Sequence, residues 1–164
     1  MAVDRPRDLF LYELGAMHDA ERRSGELFGT FADSVSSNGD LSQLFRTQRQ
    51  ESDEQFHNVD RCFRVLGAAP IHIPSTTVAG MREGFEELEA LQPPPEILEL
   101  FTLGAALRLA HFGIASYSSL LDRALLMKEN ECAQWLETNL IQKEEIAGNL
   151  ERVSHEMGLR VLAA

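Results

Sequence analysis

The sequence spells Glu-x-x-His once, at Glu54-Gln55-Phe56-His57, the spacing that lets one helix offer a carboxylate and an imidazole to a single metal ion. The spacing alone is a weak sign, because His57 shares its side with Asp53, Asp60, Arg61 and Arg64, a solvated charge pattern. Two other glutamates carry more information. The apolar stripe Phe10, Leu14, Met17 continues by four positions to Glu21 and then to Ser24 and Phe28. The stripe Leu41, Leu44, Gln48, Glu51, Gln55, Val59, Cys62, Leu66 likewise contains Glu51, inside a polar patch between two apolar ends. Both carboxylates are therefore expected to face one core. Each would cost several kcal/mol there unless a cation, hydrogen bonds or a proton compensates it.

Two kinds of cation could do so. A pair of iron or manganese ions needs several carboxylate oxygens from facing helices. The third long helix offers His111 but no carboxylate between Glu99 and Asp122, so Glu21, Glu51 and His111 are too few for two ions, while one weakly held ion stays open. Glu54 and His57 would join them only if their helix were rotated from the face assigned to it. The other cation is internal. On the last helix the stripe Leu136, Leu140, Lys143, Ala147, Leu150 sets Lys143 at the level of the polar patch. Its ammonium could stand between Glu21 and Glu51 in place of a metal, with His111 and Gln48 or Gln55 completing the hydrogen bonds. The alternative is that Lys143 snorkels outward along its aliphatic stem and leaves the carboxylates to water. Glu144 and Glu145 read as solvent-side charges, Glu144 being the nearer to the interior.

These residues must be positioned by helices. Punctuation divides the chain into four long helical stretches and one short one, with no strand pattern. The first starts near Pro6 and ends in the loop at residues 34–39; the second is capped by Asp40 and stopped after Leu66 by Gly67. A short amphipathic helix over Val78 to Leu91, ending at Pro93-Pro94-Pro95, is expected to cross one end of the bundle. The third long helix, Glu96 to Met127, is apolar almost all round between Leu98 and Ala115 and should be the most enclosed of the four; the fourth starts near Asn130 as its cap and stops before Gly158. The long link between the second and third long helices implies a crossover. The expected architecture is all-α: a ferritin-like four-helix bundle, with a crossover connection carrying a short extra helix, in a single domain over residues 1–164.

Composition limits the alternatives. Hydrophobic residues make up 44% and charged residues 25% of the chain, the balance of a soluble globular domain, and no apolar run approaches a bilayer span of about 20 residues. Charged residues near the N-terminus do not read as a secretory signal, so the expected compartment is the cytoplasm. A net charge of −11 with scattered basic residues argues against nucleic acid and anionic membranes as partners. Cys62 and Cys132 read as small buried apolar groups, and His18, His72 and His155 as structural or solvated.

With the helices in place, four segments resemble the bacterial YciE/YciF family of ferritin-like proteins: Asp8-Leu9-Phe10, Asp19-Ala20-Glu21, Glu83-Gly84, and His111-Phe112-Gly113-Ile114-Ala115-Ser116-Tyr117. The resemblance spans nearly the whole chain. It implies a bundle that usually assembles as a dimer, is associated with bacterial stress responses and is credited with a di-metal centre. By it, Glu21, Glu51 and His111 match family positions. The family's third-helix glutamates fall on Ala110 and Gly113, and its fourth-helix acidic pair on Gln142 and Lys143. The expectation is thus a homodimeric, stress-related structural or interaction protein with a degenerate metal centre, no cofactor and an unidentified protein partner. The rival is a di-iron or di-manganese oxidoreductase of ferroxidase, peroxidase or catalase type. A third reading is a bundle that binds a small molecule in a cavity near Gly104, Ala110 and Gly113.

Overall fold

The computed structural model describes residues 2–163, and every regular element among them is a helix. The order is α1 (Pro6–Ser34), α2 (Gly39–Val65), α3 (Thr76–Glu89), α4 (Pro95–Leu126) and α5 (Asn130–Leu162). Local chemistry explains most boundaries. Pro6 and Pro95 open α1 and α4, where a missing N–H costs nothing. Asn38, rather than Asp40, caps α2 by accepting from the Leu41 N–H at 3.2 Å, and Ser75 caps α3 through the Val78 N–H. Gly67 ends α2 in the left-handed conformation at φ +65°, which lets the Ala68 N–H reach the Phe63 carbonyl at 3.0 Å. Asn130 lies inside α5, whose cap is Glu129, and α5 runs through Gly158 to Leu162. Burial of Met157 and part-burial of Val161 against the core outweigh the glycine's weak propensity.

Side-chain contacts fix the topology. α1 runs antiparallel to α2, with Gly25 against Ser52 and Ala32 against Ser42. α2 runs antiparallel to α5 (Gln55 to Gln142, Asn58 to Asn139), and α4 to both α5 and α1 (Gly113 to Lys143, Tyr117 to Glu21). The ring is therefore α1, α2, α5, α4, with α2 and α4 on a diagonal and parallel. Joining the end of α2 to the start of α4 requires travelling the length of the bundle, and α3 does this along α1. Asp19 meets Ser75, Thr30 meets Arg82, and Ser34 meets Glu89. The short helix thus runs lengthwise and does not cross one end.

The expected enclosure of the third long helix is also corrected. α4 packs on α1, α3 and α5, yet it buries 10 of its 32 residues against 13 of 29 in α1, and Leu125 and Leu126 near its end are exposed at 54% and 76%. By length and composition α4 is apolar enough to span a membrane, with a window of mean hydropathy 1.5 of which 39% is buried within the bundle, which corrects the expectation that no apolar run approaches a span: isolated polar residues interrupt the run without lowering its average.

Candidate functional site

A polar layer interrupts the core midway along the bundle. Glu21 from α1 is 1% exposed and Lys143 from α5 is 3% exposed, and the lysine Nζ lies 3.1 Å from Glu21 Oε2. The other carboxylate oxygen, Oε1, accepts a hydrogen bond from the Tyr117 hydroxyl at 2.7 Å. Glu21 thus faces a cation on one oxygen and a neutral donor on the other. Burial, followed by the Glu21 charge and hydrogen bond, pushes the Tyr117 phenol well above its ordinary pKa, so it remains a donor.

Gly113 explains how a lysine fits there. A Cβ built at this position would stand 3.0 Å from Lys143 Cδ and Cε and 3.2 Å from Cγ. The aliphatic stem lies across the bare glycine backbone and carries its ammonium inward to Glu21. A side chain at 113 and a lysine at 143 compete for one space.

Glu51, on α2, is half-buried. Burial raises its pKa, the Lys143 charge opposes the rise, and Glu54 and Glu145 add to it. Its Oε2 has no hydrogen-bond partner, nor do the neighbouring Gln48 Oε1, Ser52 Oγ and Gln55 Oε1. The Gln55 amide donates instead to Gln142 at 3.1 Å. Beside it, Asn58 donates to Asn139 at 2.7 Å, and Asn139 donates to the Gln55 carbonyl at 3.1 Å, tying α2 to α5.

The remaining candidates lie elsewhere. His111 does not reach the polar layer; its ring is 53% exposed and bonds Glu151 across the α4–α5 surface at 3.2 Å. The reason is angular: two residues before Gly113 on a helix is about half a turn away from the lysine. Glu54 and His57 are exposed, and His57 approaches Asp60 at 3.8 Å. Glu144 and Glu145 are exposed, while Ala110 is buried and carries no ligand atom. Among the described residues no group of three or more His, Cys, Asp or Glu side chains is arranged to hold a metal ion. Neither Tyr117 nor Asn139 stands out in the sequence as a site residue, although Tyr117 donates to Glu21 and Asn139 ties α5 to α2. The signal for Tyr117 was present, since Ala110, Gly113, Tyr117 and Leu120 follow helical spacing.

A second polar cluster holds the crossover. Asp19 is 4% exposed, accepts the Ser75 N–H at 2.8 Å and pairs with Arg22 and Arg23. Burial alone would raise its pKa, but the Ser75 N–H and the two guanidinium groups bring it down to about 2.

The family model described as "Domain of unknown function (DUF892)" matches residues 5–161. The chain belongs to this family. Among solved structures, the DUF892 chain is similar to the Escherichia coli stress protein YciF, with a TM-score of 0.90 and 20% identity over 94% of this chain and 98% of that one. It is similar to YcfI of Rhodopseudomonas palustris, described provisionally as a structural protein, with a TM-score of 0.87 and 22% identity over 92% and 97%. A protein of Xanthomonas campestris pv. campestris matches with a TM-score of 0.76 and 22% identity over 97% of each chain. No curated protein matches the sequence. These likenesses show the ferritin-like, all-α fold that the chain shares with YciF.

Proposed function

We propose that this DUF892 protein is a non-enzymatic, stress-related structural or interaction protein whose core charge is compensated by Lys143 in place of a metal pair. The observation that carries the reading is the buried Lys143–Glu21 pair at 3.1 Å, with the lysine stem seated on Gly113. The donor set does not fit a di-metal centre. Two inward carboxylates and no inward imidazole leave most coordination positions of two ions unfilled, and a fixed ammonium repels a cation placed beside Glu21. YciF is named a stress protein and YcfI provisionally a structural one, which accords with such a role.

The protein is further proposed to act in the cytoplasm as a homodimer joined through the incompletely covered apolar side of α4. The competing oxidoreductase reading draws on Glu51, whose Oε2 lies unpartnered near three other unpartnered buried oxygens. Elemental analysis of protein purified without chelator, before and after anaerobic exposure to ferrous and manganous ions, decides between them. The expected result is no stoichiometric metal; two ions per chain, with oxygen uptake on adding ferrous ion, would establish the rival.

A further inference from the structure

The two cysteines of the chain stand 70 positions apart in sequence, yet the antiparallel packing of α2 and α5 brings them together. Cys62, in the last turn of α2, directs its Sγ to the Cys132 carbonyl at 3.4 Å; the two residues are 0% and 1% exposed. We infer that Cys62 and Cys132 are an oxidative modification site, forming an intramolecular disulfide when the protein meets a hydroperoxide.

Three features support this. Enclosure keeps bulky thiols away, so a sulfur oxidised here has one thiol within reach, that of the other cysteine. Both residues sit at helix ends, and the first turn of α5 has no side-chain cap on Glu129, so local opening can admit a small peroxide. In the closed state the Cys132 side chain, followed by burial, raises the Cys62 thiol far above its usual pKa, which keeps it unreactive until that opening occurs.

The chemistry balances. One thiolate attacks the peroxide, the O–O bond breaks, and an alcohol or water leaves with the proton that the thiol released, giving a sulfenic acid. The second thiol then attacks that sulfur, the S–OH bond breaks, and water leaves as the S–S bond forms. Two thiols lose two electrons and the peroxide gains them. The product pins the end of α2 to the start of α5 and closes a loop containing the crossover.

The test is exposure of the full chain to hydrogen peroxide, followed by quenching, denaturation, thiol counting and intact mass. The expected result is loss of both thiols, a mass lower by two hydrogens, a Cys62–Cys132 cross-linked peptide and full reversal by dithiothreitol. The rate should rise in low urea that leaves helix content unchanged. Cys62→Ala and Cys132→Ala, checked for native helicity, should show no such mass loss. Two thiols surviving in the wild type in both conditions, oxygen addition to sulfur without hydrogen loss, or a disulfide between two chains would each overturn the inference.

Discussion

Glu21 is held by two partners of different kinds, and removing either has a different consequence. Replacing Lys143 by Met leaves a carboxylate 1% exposed with no cation and should destabilise the protein by about 3–5 kcal/mol. Replacing Glu21 by Gln in the same molecule should recover most of that loss, because two neutral groups of similar volume need no compensation. Denaturant melts of the single and double variants check this. Failure of the second substitution to help would mean that Lys143 acts through packing on Gly113. Glu51 titrates in the opposite sense from a salt-bridged carboxylate. Its folded pKa lies above the ordinary 4.5, so its ionisation costs stability at neutral pH, and the cost fades as pH falls through the folded value toward 4.5. Glu51→Gln should therefore melt higher than wild type at neutral pH, with the difference closing on acidification.

At the scale of elements, the crossover is the piece most in need of anchoring, since α3 buries only Val78 and Phe85. Asp19 supplies the anchor. Its folded pKa of about 2 lies below the ordinary 3.8, so its contribution is complete above 3.8 and is lost as pH falls from there to about 2. Asp19→Asn should cost about 2 kcal/mol at neutral pH and steepen hydrogen exchange in α3 ahead of the four long helices. Gly15 is the second contact point, because a Cβ there would stand 2.6 Å from the Ile71 carbonyl oxygen, a backbone atom with no rotamer to yield. Gly15→Ala should destabilise by about 2 kcal/mol. Gly148→Ala, with nothing within 4 Å of the added Cβ, should stabilise α5 by about 0.5–1 kcal/mol, and thermal melts of the pair separate close approach from helix propensity.

For the whole molecule, the proposed dimer sets apolar attraction against like charge. Each chain carries a net charge of −11, so association through α4 should strengthen as salt screens the repulsion. Sedimentation equilibrium across a salt series should show a species of twice 18.4 kDa that gains population with salt. A monomer at every salt concentration would remove the dimer from the reading.

Periodicity and punctuation in the sequence determined five helices, their approximate ends and the inward direction of Glu21, Glu51 and Lys143, because side-chain direction on a helix is a local property of spacing. The segments that resemble known family motifs pointed to the fold, which the chain shares with YciF. What the spacing could not supply was distance between helices. That Tyr117, rather than His111, donates to Glu21, that α3 lies along α1, and that Cys62 meets Cys132 all depend on how the helices are rotated and staggered against one another. Even the long, apolar α4 could not be ranked for enclosure from its own residues, since burial is decided by what packs against it. The close approach of Gly113 to the Lys143 stem is the same kind of fact: each residue is ordinary alone, and only their tertiary contact makes them one unit.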